Sequence, residues 1–299
     1  MGTQTGGNLL QSFTTFNLAK GDTATFTGPS SVSNIISRVT GGAPSTINGT
    51  IASDIPGANL WFFNPKGILF GNGASLNITG SFHASTADSI ILRDGTSIPA
   101  KIIPGVPTIL TNASPYAFGF IDAATVNNSS LTLQNANLSV PEGQSIGLVG
   151  SHVDLTASVL SAPSGQISVV SINDTGEVQY SDQGYSAKLD HSSGFSGDIT
   201  LTNTALKVDG KQQGNLQIEG GNIKVNTNET DVIPSIANLS TPFVEEMDLL
   251  AKPCELAKYY GSGSLTFTVD EMNGKSEFGV ETKKIKDGAL GLEKQGDCL

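Results

Sequence analysis

The chain has 299 residues and a formal net charge of −11, although only 14% of its residues are charged; 37% are hydrophobic and 35 are glycine. An acidic chain whose only arginines are Arg38 and Arg93 offers no basic face to a phosphate backbone, so nucleic acid is excluded as a partner. No apolar run reaches the ~18 residues that a membrane-spanning helix needs, and the start Met1-Gly2-Thr3-Gln4 has neither the charged nor the apolar region of a signal peptide.

Residues 6–88 open on Gly6-Gly7-Asn8-Leu9 and then alternate apolar bursts with turn residues. The run from Asn34 to Gly41 (Asn-Ile-Ile-Ser-Arg-Val-Thr-Gly) leads to Ser45, Ile47, Gly49 and Ile51 at every second position, the period of a strand with one buried face. Trp61, Phe62 and Phe63 then meet Asn64-Pro65-Lys66-Gly67, followed by Ile68 and Phe70. Pro presets φ at the first corner of a turn, Gly permits positive φ, and an Asn side chain can bond the backbone two residues on, so this reads as a tight corner between two buried strands. Lys66 falls on its solvent side.

Residues 98–122 carry Pro99, Pro104, Pro107 and Pro115, which interrupt ladder bonding and mark an excursion from the regular pattern. Beyond it, the runs at 131–133, 137–140, 145–149, 152–155 and 166–170 again place apolar residues two apart, with one face toward a core and one toward solvent. Gly143-Gln144 and Gly165-Gln166 head similar runs 22 positions apart, and Gly197, Gly214 and Gly221 each begin a Gly-polar-apolar-polar-apolar unit. An imperfect period of about 20 residues, with three short strands per period, suits a coiled parallel sheet whose rungs stack ~4.8 Å apart. A β-sandwich or barrel is the alternative; its hairpins need Asn-Gly or Asp-Gly turns. Asn48-Gly49, Asn72-Gly73 and Asp94-Gly95 qualify but do not recur through the repeats. Residues 173–195 read as a protruding hairpin or long loop. From about Thr241 the texture changes: 242–251 and 255–260 have helical spacing and 264–269 alternates like a strand.

The order and spacing of Asn34, Arg38, Val39, Thr40 and Gly41, of Ser45, Ile47, Gly49 and Ile51, and of Asn64, Pro65, Gly67, Ile68, Phe70 and Gly71 resemble the N-terminal secretion domain of two-partner secretion exoproteins, the filamentous-haemagglutinin-like family. Gly80 to Ala87 matches that family's next rung. The resemblance is strong over about 80 residues and continues more weakly to about residue 225. Two departures stand out: Lys66 occupies a position where small or amide residues are common, and some thirty residues that precede Gly6-Gly7-Asn8-Leu9 in relatives, and help cap the coil, are absent.

The resemblance implies an all-β fold: a single-stranded right-handed parallel β-helix with extra-helical excursions and a small mixed C-terminal cap. The expected division is a secretion domain at 1–97, an excursion at 98–122, continued β-helix at 123–240 interrupted at 173–195, and a cap at 241–299. It also implies a secreted protein, its signal peptide removed, exported through an Omp85-type outer-membrane pore with POTRA domains in a Gram-negative bacterium. Outside the cell it serves in adhesion to a host-cell, glycan or other surface receptor. Asn34, Arg38, Gly41, Asn64, Pro65, Gly67 and Ile68 then either engage the transporter or simply hold corners of the coil. Cys254 and Cys298, with residues 255–297 between them, read as one disulfide in an extracellular protein. That bridge either tethers the chain by a loop too bulky to leave the pore or staples a C-terminal cap; two free thiols are the bland alternative.

No cofactor, metal site or catalytic set is expected. Carbohydrate-active β-helices cluster acidic residues with Arg or Lys in a groove, whereas Asp94, Asp122 and Asp154 are scattered and Glu245-Glu246 lies outside the coil. His83, His152 and His191 are isolated, and Asp174, Asp182 and Asp190 fit no calcium motif. The nine Asn-x-Ser/Thr sequons are no more than so Asn-, Ser- and Thr-rich a chain supplies by chance. Two other functions remain open: an extracellular carbohydrate-active enzyme of lyase or hydrolase type, and a structural matrix component.

Overall fold

The structure, a computed structural model, describes residues 2–122, 129–191, 194–212 and 214–227, together with the backbone of strands at 239–241, 247–249, 263–272 and 275–282. Among these residues every regular element is a strand, and no helix is long and apolar enough to cross a membrane.

Three parallel sheets, A, B and C, carry the fold. The chain visits them in a fixed order. Asn34–Val39 lies in sheet A, Ser45–Ile47 in B and Thr50–Ser53 in C; Asn59–Phe63, Ile68–Phe70 and Ser75–Asn77 repeat the circuit one rung on. After Phe82–Ser85 in sheet A the circuit resumes with Leu131–Gln134 in B, Asn137–Ser139 in C and Ser145–Gly150 in A. It continues through His152–Thr156, Val159–Ser161 and Gln166–Ser171, then Asp198–Thr202, Ala205–Lys207 and Asn215–Glu219, to Asn222–Thr227. Each of these strands pairs in parallel with its counterpart one circuit away. Such an architecture is consistent with a β-helix.

The alternation read from the sequence becomes columns. Leu9, Ile35, Leu60, Phe82, Ile146, Ile167 and Leu216 stand in register in sheet A, facing Ile47, Phe70, Leu133, Leu155, Leu201 and Val225 of sheet B within one core cluster. Parallel stacking places like residues above one another, so aliphatic columns pack at side-chain contact and exclude water. Corners repeat too. Asn135, Ala157 and Asn203 each adopt a left-handed φ (53°, 48° and 48°) between sheets B and C. Of the three Gly-containing turn candidates, only Asp94-Gly95 closes a hairpin, between Ser89–Leu92 and Ser97–Pro99; the other two lie at corners of the circuit.

The two segments that break the rhythm meet. Ser97–Pro99, Ser89–Leu92, Pro115–Phe120, Gly176–Ser181 and Gly184–Leu189 form a five-stranded antiparallel sheet D, in that order. Pro99 ends the edge strand and Pro115 begins a strand, positions where a missing N–H removes little from the ladder. Both segments leave the circuit between a sheet A strand and the next sheet B strand, from Phe82–Ser85 and from Gln166–Ser171, with the single rung Ser145–Gly150 between. Rungs ~4.8 Å apart therefore bring residues some 60 positions apart within strand-pairing reach, and Phe118 pairs with Val178.

Sheet D covers the outer face of sheet A. The sequence predicted one solvent-facing side for every strand, but all six residues of Asn34–Val39 and of Gln166–Ser171 are buried. A second apolar cluster fills the interlayer: Leu10, Ile36, Trp61, Phe63, Val149 and Val170 from sheet A against Ile90, Phe118, Phe120, Val178 and Tyr185 from sheet D.

Thr3–Thr5 folds back antiparallel on Asn8–Phe13 and covers the N-terminal edge of sheet A. At the other end Leu239–Thr241 pairs antiparallel with Gly263–Met272, which pairs with Lys275–Thr282. Met247–Leu249, inside a stretch with helical spacing, is instead a strand pairing in parallel with Val225–Thr227; the stacked rung supplies backbone partners that local spacing cannot foresee. The rest of the helical stretches, and both Cys254 and Cys298, lie outside the described residues.

Candidate functional site

Of the residues singled out in the sequence, Asn34 and Arg38 lie four apart on one strand and so share its outer face. Arg38 is 4% exposed. Its Nε donates to Ser12 Oγ (2.8 Å), Nη1 to the Pro99 carbonyl (2.6 Å) and Nη2 to Thr108 Oγ1 (2.9 Å). Burial pulls its pKa below the usual arginine value, yet a guanidinium remains charged in any accessible pH range. Its positive charge is thus spent on neutral oxygens, one on the neighbouring strand and two in the segment from Pro99 to Thr108.

Asn34 continues the same fastening. Its Nδ2 donates to Asn8 Oδ1 (3.1 Å), and Asn8 Nδ2 donates to the carbonyls of Thr111 (2.9 Å) and Ala113 (2.7 Å). Asn8, Asn34 and Asn59 stand in register, and Asn59 Oδ1 accepts from the Ser81 N–H (2.9 Å). The sequence reading missed Asn8 and Asn59. The signal was present in three openings, Asn8-Leu-Leu, Asn34-Ile-Ile and Asn59-Leu-Trp, whose spacing is one rung.

Gly41, Asn64, Pro65, Gly67 and Ile68 gather at the corner between sheets A and B. Asn64 is fully buried. Its Oδ1 accepts from the Lys66 N–H (3.0 Å), as the turn chemistry predicts, and its Nδ2 donates to the Ala43 carbonyl (3.1 Å) and Ser45 Oγ (3.0 Å) of the preceding rung. The Gly67 N–H closes the turn on the Asn64 carbonyl (3.1 Å), and Gly67 has φ +109°. A Cβ on Gly41 would stand 2.1 Å from the Thr14 carbonyl oxygen, so only glycine permits that rung to close on its neighbour. Ile68 is a core residue between Ser45 and Leu131, and Lys66 is exposed. The seven residues thus form two groups: Asn34 and Arg38 fasten the outer segment, while the other five build one corner.

His83 sits in the interlayer, stacked on Trp61 (4.0 Å between centroids, 19°), with Nδ1 2.7 Å from the Tyr185 hydroxyl. Tyr180 approaches edge-on. Complete burial lowers its pKa to about 3, so the ring is neutral at pH 7, and its Nε2 has no hydrogen-bond partner. Burial holds the Tyr185 hydroxyl well above the usual phenol range. The two tyrosines remain protonated and neutral beside it.

The acidic residues disperse. His152 bridges Asp154 (3.2 Å) and, at 4.0 Å, Asp198 on the outer side of sheet B. Asp174 binds His191 (2.9 Å), while Asp190 accepts from Thr175 Oγ1 (2.7 Å). Among the described residues no three His, Cys, Asp or Glu side chains come together as a metal site.

A polar groove of about 640 Å³ opens between the corners leading into sheet A and the tip of the 176–189 hairpin. One carboxylate, Asp182, is among its described lining residues.

Comparison with curated proteins finds no match. A family model, the TPS secretion domain, matches residues 1–225. That span runs from the N-terminal hairpin through the rungs up to Val225, includes both groups of motif residues and contains all of sheet D. The chain belongs to the TPS secretion domain family and is a two-partner secretion exoprotein of the filamentous haemagglutinin type.

Proposed function

We propose that the protein crosses the outer membrane of a Gram-negative bacterium through an Omp85-type pore whose POTRA domains recognise residues 34–71, and that it then acts, without catalysis, in adhesion or surface binding. The observation that carries this reading is the family match over 1–225. Outside the cell the chain coils as a single-stranded right-handed β-helix. Parallel pairing with the preceding circuit supports this order of events, because each new rung finds its partner already in place and requires only local closure. Sheet D is the exception: the strands at 89–92, 97–99 and 115–120 pair with one another, but the outer edge of Pro115–Phe120 waits for Gly176–Ser181.

The domain division follows: a secretion domain at 1–97, the 98–122 and 173–195 excursions docked on the coil, continued coil at 123–240 and a cap at 241–299. Cys254 and Cys298 form one disulfide in that cap. The outer surface supports a binding rather than a catalytic role, since Glu142, Asp154, Asp174 and Asp190 engage neighbouring Lys, His and Thr residues instead of gathering in one groove.

The test is secretion from a host carrying the transporter, with a native leader, comparing the full chain with deletion of 34–71 and with Asn64→Ala. The reading expects intracellular retention of both variants. Secretion of the deletion variant at the parent level refutes the addressing role.

A further inference from the structure

The polar groove is fashioned from repeated rung positions. Ser145, Gln166 and Asn215 stand in register at the start of three successive sheet A strands, and Ser81 lies beside them, its Oγ accepting from the Ser145 N–H (3.0 Å). Hydroxyl and amide groups therefore recur along one wall at the ~4.8 Å rung spacing. Gly143, Gly165 and Gly214 contribute lining with no side chains, leaving backbone within reach. Tyr180 and Asp182 of the hairpin form the facing wall.

The chemistry of this lining is selective. About 640 Å³ lies within the ~300–1,000 Å³ of small-ligand sites. Among the described lining residues there is no lysine, arginine or histidine to neutralise a phosphate, sulfate or carboxylate, and Asp182 repels one. Purely apolar ligands are also mismatched, because every described lining residue other than glycine carries a polar group. Gln166 lines the groove with only 6% of its surface exposed.

We infer that this groove is a binding site for a neutral glycan chain lying along the rung axis, with Ser145, Gln166 and Asn215 reading successive hydroxyl groups and Asp182 accepting from a hydroxyl on the opposite side. The inference deepens the surface-binding reading by naming a ligand class and a place.

The test uses the purified full-length chain and three neutral tetrasaccharides, cellotetraose, chitotetraose and maltotetraose, with tetragalacturonate as the acidic control. Titration calorimetry is paired with amide chemical-shift mapping. At least one neutral tetrasaccharide binds with Kd of about 1 mM or tighter, shifting amides at 143–145, 164–166 and 180–184. The Asp182→Ala/Asn215→Ala double variant, with unchanged Tm, weakens that binding roughly tenfold or more. Absence of binding by all three neutral sugars, undiminished binding in the double variant, or equally tight binding of tetragalacturonate overturns the inference. Adherence of the secreted protein to cells is scored separately: adherence that survives in the double variant removes the groove inference and leaves the adhesion reading intact.

Discussion

Arg38→Met separates two possible jobs for a buried arginine. Methionine retains much of the apolar stem but removes three donors, those to Ser12, Pro99 and Thr108. Hydrogen bonds from a charged donor contribute ~1.5–3 kcal/mol each, and the relief of arginine desolvation offsets part of the sum. Pro99 and Thr108 also regain water once the segment lifts. A net loss of about 2–4 kcal/mol follows for the docking of residues 99–113. The asparagine ladder still grips Thr111 and Ala113, so the loss is local and the coil persists. Hydrogen exchange reads this directly. The Ala100 amide, which donates to the Asp88 carbonyl (2.8 Å), should exchange roughly 30- to 1,000-fold faster in the variant, at about 1.4 kcal/mol per decade, while those of Ile35 and Leu60 remain protected. Trypsin should also cut sooner after Lys101. If exchange at Ala100 and cleavage after Lys101 are unchanged while the global Tm falls, Arg38 supports the coil alone and the fastening argument fails.

Other expectations concern single positions. Ala157 holds a φ of 48° at a corner where Asn135 and Asn203 occupy the equivalent places; Ala157→Asn should stabilise by ~0.5–1 kcal/mol in urea denaturation, and a destabilised variant would contradict the corner equivalence. The Ser37 hydroxyl is fully buried without a partner, so Ser37→Ala should be neutral or stabilising by about 1 kcal/mol, whereas a loss above that size would reveal a missed interaction. His83 has a folded pKa of about 3 against 6.5 in the unfolded chain. The unfolded state therefore takes up a proton that the folded state refuses, and stability contributed by neutral His83 is complete above pH ~6.5 and falls as pH drops toward ~3. Tyr180 and Tyr185, the titratable groups facing it, stay protonated throughout this range. The stability difference between parent and His83→Gln should thus shrink on acidification; a difference independent of pH would place the histidine in contact with water. Cys254 and Cys298 should resist maleimide until reductant is added, and immediate labelling would exclude the disulfide.

Local chemistry determined much of this protein. The period-two runs fix which residues face a core, the Asn64-Pro65-Lys66-Gly67 turn follows from the dihedral preferences of Pro and Gly and the reach of the Asn amide, and the recurring interval forces like residues into columns. These depend on neighbours within a few positions or on simple repetition, so they are readable in one dimension. The functional assignment of Asn34 and Arg38 was not. A strand residue declares which face it occupies but not what covers that face, and the outer face of sheet A is closed by segments drawn from 88–120 and 176–189. Their pairing depends on both leaving the circuit at the same corner with one rung between, a coincidence of position along the coil axis that no local pattern encodes. The same geometry sets Tyr180 and Asp182 opposite Ser145, Gln166 and Asn215. Composition and period decided that the chain would stack; only the stacked rungs decided which distant side chains would meet.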